Sequence, residues 1–221
     1  MAYREIDLSN HQRQLFVGDD PGKEGWISWI DHEGNPVGQA PRPSLGDGKG
    51  DTFDRQGYKR LIHRIQGDGR IVRWTIEKQQ PSGINNSRQT IAIQFQAYGA
   101  ALGVLDALEV SVTEVRSQTV REAMGVPKSS QAGKKRAKRG ELNAEQEKEA
   151  AKQNRKIQDA ARKQALLNLI KIAQGMWPGW PLLPTEKSTT PSSDMASSRL
   201  IAEYGRRTHL GMTMPKSGET A

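Results

Sequence analysis

The chain has 221 residues, enough for one sizeable domain or for one domain with a basic extension. Only 34% of the residues are apolar, which is low for a globular protein, so part of the chain is expected to lie outside the core. The absence of cysteine excludes disulfides and thiolate metal sites. No run of about 18 apolar residues and no signal-peptide core occurs, so we expect a cytoplasmic protein without a membrane partner.

The net charge of +8 is unevenly distributed along the chain. Residues 128–163 contain 12 Lys and Arg but only 5 Asp and Glu, which leaves the remainder nearly neutral. A basic balance of this kind favours a polyanionic partner, most often nucleic acid, because neutralised phosphates release their counterions. Any binding through bulk charge is expected to use that segment.

The first 80 residues alternate between strand and helix signals. LFVGDD (15–20) and WISWID (26–31) predict two strands joined by a Pro21-Gly22 turn. Residues 34–51 are rich in Gly and Pro and predict a loop or an irregular edge strand. A short helix is expected over 51–66, followed by a strand that ends at Glu77. The apolar side of that helix comprises Phe53, Tyr58, Leu61, Ile62 and Ile65.

The second half begins with a long apolar helix, predicted over 87–108, and then a strand (109–116) and a short helix (117–125). Small residues of the long helix would permit close packing on a sheet: Ala97, Gly99, Ala100, Ala101 and Gly103. Residues 127–158 have almost no apolar stripe, which indicates either disorder or a solvated, charged helix. An amphipathic helix is expected over 159–179, and a final helix follows Ser192 or Ser193 as N-cap.

This order of elements predicts a mixed α/β domain with helices packed on a central sheet. Asp20 ends the first strand, Glu77 ends a later one, and Asp194 begins the last helix. Acidic groups that meet at one sheet edge need a shared cation, and oxygen ligands suit Mg²⁺ or Mn²⁺. Two such ions are a common arrangement for phosphodiester hydrolysis. Each acid by itself is equally typical of a solvated strand end or a helix N-terminal charge.

Four segments together resemble the RuvC-type Holliday junction resolvases, most closely their phage-encoded branch. They are GDDPGKEGWISWID, the TIEKQQ segment with Glu77, QAYGAALGVLDALEVSVTEVRSQTVREAMGV, and DMASSRLIAEYGRR. The resemblance covers residues 14–126 and 164–208. It implies a single ribonuclease H-like domain over 1–221, with a mixed central sheet flanked by helices and a basic, largely helical or disordered insertion at 127–163. It also implies a homodimer in a bacterial or phage-infected cell.

The resemblance also assigns the site residues. Asp20, Glu77 and Asp194 match the catalytic, metal-binding acids of the family, which bind Mg²⁺ with Mn²⁺ as a possible substitute and use no small-molecule cofactor. Ser197 stands where the family usually has a further acid, so its hydroxyl would be a weaker ligand. Asp19 is interpreted as a secondary charge, and Glu203 as a salt-bridge residue rather than a replacement ligand.

The activity implied is that of a crossover junction endodeoxyribonuclease, a metal-dependent hydrolase that makes paired cuts in four-way or branched DNA during recombination and repair. One alternative is a non-catalytic junction-binding protein that has lost the acid at Ser197. Another is a ribonuclease H-like nuclease that acts on other branched or hybrid nucleic acids.

DNA contacts are predicted at three places. The loop before the long helix, with Asn85, Asn86 and Arg88, corresponds to a junction-entering loop of the family, and an ordinary polar helix cap is the alternative. Arg121 stands where relatives often have a DNA-facing lysine. The third place is a basic run that also fits a solvated linker; it comprises Lys134, Lys135, Arg136, Lys138 and Arg139.

Two further features have open interpretations. The long Ala/Gly-rich helix is a candidate dimer interface, and packing on its own sheet is the alternative. Trp177 and Trp180 are expected to cap a core, with base stacking as the alternative. The four histidines are scattered without ligand spacing.

Overall fold

A computed structural model describes residues 12–22, 25–45, 52–80, 88–127, 144–185 and 187–215. The strands are β1 (Gln14–Asp19), β2 (Trp26–Asp31), β3 (Pro36–Pro41), β4 (Ser44–Leu45), β5 (Thr52–Phe53), β6 (Arg70–Glu77) and β7 (Val112–Val115). The helices are α1 (Arg55–Asp68), α2 (Arg88–Ala107), α3 (Ser117–Ala123), α4 (Ala144–Met176) and α5 (Ser193–Leu210).

The main sheet has five strands in the order β3-β2-β1-β6-β7. The first three strands form an antiparallel meander, and β6 and β7 then add in parallel on the other side of β1. Strand β1 is therefore central, and its end lies at the same edge of the sheet as the end of its parallel neighbour β6. This mixed sheet, flanked by helices, is the ribonuclease H-like arrangement that the resemblance implied. Strands β4 and β5 form a small separate sheet.

Strict alternation of side chains along β1 divides the core into two layers. Phe16 faces the layer that contains α5, α3 and the C-terminal part of α4. Leu15 and Val17 face the opposite layer, which contains α1 and α2. Every side chain of β1 from Leu15 to Asp19 is buried, as expected for a central strand with helices on both faces.

Helix α5 lies unusually close to the sheet because small residues line the crossing. A Cβ atom on Gly18 would stand 2.1 Å from the carbonyl oxygen of Ser198 and 2.3 Å from the backbone nitrogen of Ala202. A Cβ atom on Gly205 would stand 2.0 Å from Oγ1 of Thr75. The Ser198 hydroxyl also lies 2.7 Å from the Ser28 hydroxyl of β2. These contacts hold the start of α5 against the ends of β1 and β6.

The predicted elements are largely confirmed. For residues 144–158, where disorder or a charged helix was predicted, the structure has the helix, which continues directly into the predicted amphipathic helix as α4. One correction concerns α2, where Gly99 and Gly103 do not pack on the sheet, since a Cβ atom on either would have no neighbour among the described residues within 4 Å. Ala101, by contrast, is fully buried.

The edge strand foreseen in residues 34–51 is β3, and residues 46–51 lie outside the described part of the chain. Ser192 is the N-cap of α5, where its hydroxyl accepts a hydrogen bond of 3.2 Å from the backbone of Met195. No helix within the described ranges is long and apolar enough to cross a membrane.

Candidate metal-dependent active site

Asp20 lies directly after β1, at the point where the chain turns towards β2. Its backbone nitrogen donates to the carbonyl of Trp26 at 3.0 Å, which continues the ladder by one bond. The backbone nitrogen of Gly22 donates to the Asp20 carboxylate at 3.2 Å, an Asx-type turn in which Pro21 sets the backbone angle. The turn therefore orients the Asp20 carboxylate.

Glu77 is the last residue of β6 and lies beside Asp20 because β1 and β6 run in parallel and in register. The Ser117 hydroxyl, in the first turn of α3, hydrogen-bonds to the Glu77 carboxyl. The Arg121 guanidinium, one helical turn further along α3, lies close enough to lower the pKa of Glu77. The Nε atom of Arg121 is buried and has no hydrogen-bond partner among the described residues. Ser117 was not predicted to belong to this site.

Asp194 and Ser197 occupy the first turns of α5, which the close contact at Gly18 holds over the end of β1. The Ser197 hydroxyl hydrogen-bonds to the Asp20 carboxyl and lowers its pKa, while the Asp194 carboxylate raises it. Asp194 also accepts a hydrogen bond of 3.3 Å from the Ser193 hydroxyl. All four predicted metal-site residues therefore stand at one place in the fold.

The electrostatics of the site disfavour the ionised acids. Burial, followed by repulsion from Asp194, raises the pKa of Asp20 to about 6. Burial, followed by repulsion from Asp20, raises the pKa of Glu77 to about 7, although Arg121 and Ser117 oppose the shift. The protein therefore compensates only part of the negative charge of these carboxylates. A bound cation would compensate the rest and favour their ionised forms.

The donor chemistry fits a hard divalent cation, since Asp20, Glu77, Asp194 and Ser197 offer only oxygen atoms. As the side chains stand, however, no three Asp, Glu, His or Cys residues in the described ranges are grouped closely enough to hold one ion. The structure thus brings the acids into electrostatic contact without arranging three of them around a common point.

Asp19 is part of a buried ion pair on the opposite face of the sheet. Its Oδ1 atom lies 3.3 Å from Nε of Arg42, and its Oδ2 atom accepts a hydrogen bond of 2.5 Å from the Tyr58 hydroxyl. Nε1 of Trp74 donates to Oδ2 at 3.4 Å. Both charged side chains are almost completely buried. Strand alternation turns the Asp19 side chain away from Asp20, but its negative charge still contributes to raising the pKa of Asp20, so Asp19 acts as a secondary charge without facing the site.

Two other interpretations are supported by direct contacts. Glu203 is 2% exposed and accepts hydrogen bonds from Arg206 and Arg207 at 2.6–2.8 Å, so it is a salt-bridge residue. Trp177 packs in the core, and its Nε1 donates to the carbonyl of Gly34 at 2.8 Å. Trp180 stacks against Arg199, whose guanidinium carbon lies 3.9 Å from the ring centre. These indoles are engaged within the fold.

The predicted DNA contacts are mostly untested. Arg121 is the one with a described side chain, and it lies beside Glu77. Arg88 begins α2, but its side chain is outside the described set. The remaining residues lie outside the described ranges; they are Asn85, Asn86, Lys134, Lys135, Arg136, Lys138 and Arg139.

No protein-family model matches the chain, and no curated protein sequence matches it. Among solved structures, the chain is similar to Thermus thermophilus RuvC, with 13% identity and a TM-score of 0.42. It is also similar to RuvC from the same organism in complex with a Holliday junction substrate, with 12% identity and a TM-score of 0.48. Each alignment covers 91% of this chain and 99% of the other.

Proposed function

We propose that this chain is a divalent-metal-dependent, structure-selective DNA endonuclease that cuts four-way or other branched junctions. The observation that carries the proposal is the meeting of Asp20, Glu77 and Asp194, which come from two strand ends and one helix start. Repulsion within this group helps to raise the pKa values of Asp20 and Glu77. Carboxyl groups gathered in this way are costly for stability, and groups with such strongly shifted pKa values cluster at functional sites.

In this mechanism Asp20, Glu77 and Asp194 would hold Mg²⁺ or Mn²⁺, and Ser197 would supply a neutral oxygen and keep Asp20 in orientation. Such a metal centre, when bound, supplies an activated water and stabilises the oxygen that leaves the phosphorus. The Ser117 hydroxyl orients the carboxyl of Glu77, and the Arg121 guanidinium attracts a DNA phosphate towards the site. Hydrolysis would leave a 5′-phosphate and a 3′-hydroxyl. A homodimer would place two such sites on a junction of near-twofold symmetry.

The first experiment is cleavage of a synthetic four-way junction beside a linear duplex of matched sequence, with Mg²⁺, Mn²⁺ or EDTA. We expect paired symmetric nicks in the junction that need metal, and at least a roughly 100-fold loss of rate in Asp20→Asn. Tight junction binding without nicks in either metal would contradict the enzyme and support the second candidate. Faster cleavage of an RNA–DNA hybrid would identify a different nuclease of the same fold.

The second candidate, a non-catalytic junction-binding protein, is favoured by a specific observation. Ser197 has a hydroxyl where the resemblance implies a carboxylate, and the described acids are not grouped in threes around one point. Junction affinity that is unchanged by EDTA, Mg²⁺ and Asp20→Asn, in a chain that never nicks, would establish this candidate.

A further inference from the structure

The N-terminal half of α4 extends away from the domain. The helix has 33 residues, which corresponds to a length of about 50 Å. Its apolar contacts begin only near residue 165, where Leu169, Ala173 and the adjoining Trp177 pack into the core beneath α5. Residues 152–160 are all exposed. Nine consecutive residues of the helix are therefore largely surrounded by solvent.

Over residues 152–168 of α4, charge is concentrated on one face, whereas the preceding residues of the helix contain Glu145, Glu147, Lys148 and Glu149, which do not share one face. At 100° per residue, the charged residues of 152–168 all fall within one sector of roughly 120°. They are Lys152, Arg155, Lys156, Asp159, Arg162 and Lys163. The rest of the circumference over these residues is formed by Gln, Asn, Ala, Ile and Leu. A helix that used charge only for solubility would distribute it around the surface, so this segregation indicates a partner on one side.

The orientation of this basic face relative to the rest of the domain follows from the part of α4 that packs in the core. The packing stripe is centred on Leu169, and the cations are centred roughly 80° around the helix from it. The basic face therefore looks along the side of the domain rather than directly away from it. Asp159, three or four residues from each of four cations, is the single acid in the sector, which leaves a net charge of +4.

We propose that the basic face of α4 lies along the sugar-phosphate backbone of a duplex arm of DNA. The segment from Lys152 to Lys163 spans about 17 Å, comparable with five phosphate intervals along one strand. Lys and Arg side chains that contact only phosphates, and not the edges of the bases, increase affinity and position the protein on DNA, but they give no sequence preference. The inference rests on the proposed nucleic-acid partner and adds a contact surface remote from the acids.

The test measures binding of the full chain, in EDTA, to a fluorescent linear duplex and to a fluorescent four-way junction. Dissociation constants are determined over a range of salt concentrations. The variant replaces Lys152, Lys156 and Lys163 with Gln, which keeps helix propensity and spares the packing stripe. The matched control replaces three exposed cations of the opposite layer, Lys59, Arg64 and Arg70, with Gln. Far-UV circular dichroism checks that helicity is unchanged.

We expect the α4 variant to bind both DNAs at least about tenfold more weakly, and the slope of log Kd against log salt to fall by about 2 to 3. The control should retain the wild-type slope. Equal losses in the two variants would overturn the inference, because bulk charge would then explain binding. An unchanged α4 variant would also overturn it, as would a variant that loses only affinity for a polyglutamate probe, which would identify an acidic polypeptide as partner.

Different results would contradict the nuclease proposal and the proposed DNA contact of α4. Wild-type protein that prefers and nicks the junction, with an α4 variant that binds equally well, would leave the nuclease intact and remove the α4 contact. Salt-dependent duplex binding through α4, in a chain with neither junction preference nor nicking, would do the reverse.

Discussion

At the residue scale, Asp20 and Glu77 hold their protons more tightly in the folded chain than in the unfolded one. Their folded pKa values of about 6 and about 7 exceed the usual 3.8 and 4.5. The folded state therefore binds more protons than the unfolded state between these values, and the free energy of unfolding of the metal-free protein falls as pH rises from about 4 to about 7. The site is destabilising at neutral pH until a cation compensates it.

We therefore predict that the free energy of unfolding of Glu77→Gln will depend less on pH than that of the wild type. In EDTA, the drop in unfolding free energy between acidic and neutral pH should be smaller than in the wild type by on the order of 2 kcal/mol. Urea unfolding at the two ends of the window measures it. Exposed Glu33, changed to Gln, is the control and should behave as the wild type. An identical pH slope in Glu77→Gln and the wild type would refute the prediction.

In the proposed metal site, the side chain at position 197 is expected to determine how strongly the ion is held. A carboxylate there would add a fourth negative charge beside Asp20, so we expect Ser197→Asp to lower the melting temperature in EDTA and to gain more from Mg²⁺ than the wild type. A roughly tenfold tighter midpoint for Mg²⁺ in thermal unfolding is the expected size of the effect. Ser197→Asn is the neutral control. The idea fails if both variants respond to Mg²⁺ alike.

At the element scale, the crossing of α5 over β1 places Asp194 and Ser197 near Asp20. Gly18 makes that crossing possible, because a Cβ atom would overlap the backbone of Ser198 and Ala202. Backbone atoms cannot move aside as a flexible side chain can. A larger residue at position 18 would therefore have to displace α5.

Gly18→Ala is therefore expected to destabilise the protein by about 3 kcal/mol and to reduce metal-dependent stabilisation. Gly99→Ala is the matched change, because Gly99 lies on an exposed helical surface where Ala should stabilise by about 1 kcal/mol. Denaturant unfolding compares the two at low protein concentration. Equal effects of the two substitutions would show that α5 does not depend on the contact at Gly18.

At the scale of the whole molecule, the predicted homodimer has a plausible surface on α2. No described residue lies within 4 Å of a Cβ atom placed on Gly99 or Gly103, and Ile93 and Phe95 are 41% and 39% exposed. Small residues let two backbones approach, and exposed large apolar residues nearby favour association. The correction to the packing of α2 thus leaves this surface available to a second copy.

We predict that Gly99→Glu will convert a dimer into a monomer at micromolar concentration, since it adds bulk and charge at the centre of this surface. Gly67→Glu is the matched control, because Gly67 is also helical with no described neighbour within 4 Å of a Cβ atom. Light scattering after gel filtration gives the molecular mass. A dimer that persists in Gly99→Glu would place the interface elsewhere.

Much of the fold and the main acids follow from local sequence signals. Alternation and turn residues predicted β1, β2 and β6, and the N-cap at Ser192 marked the start of α5. Because parallel strands end at one edge, the positions of Asp20 and Glu77 at strand ends already implied that they are neighbours. These signals are readable because they depend on residues close together in the chain.

What only the tertiary structure decided involves residues far apart in the chain. The partners of Asp19 are Arg42, Tyr58 and Trp74, and no spacing marks them as a group. Ser117 reaches Glu77 because β7 lies next to β6, which places α3 at that edge. Asp19 belongs to a buried ion pair and its neighbour Asp20 is a candidate metal ligand, because successive side chains point to opposite faces of a sheet. The helices packed on each face determine which residues these side chains contact.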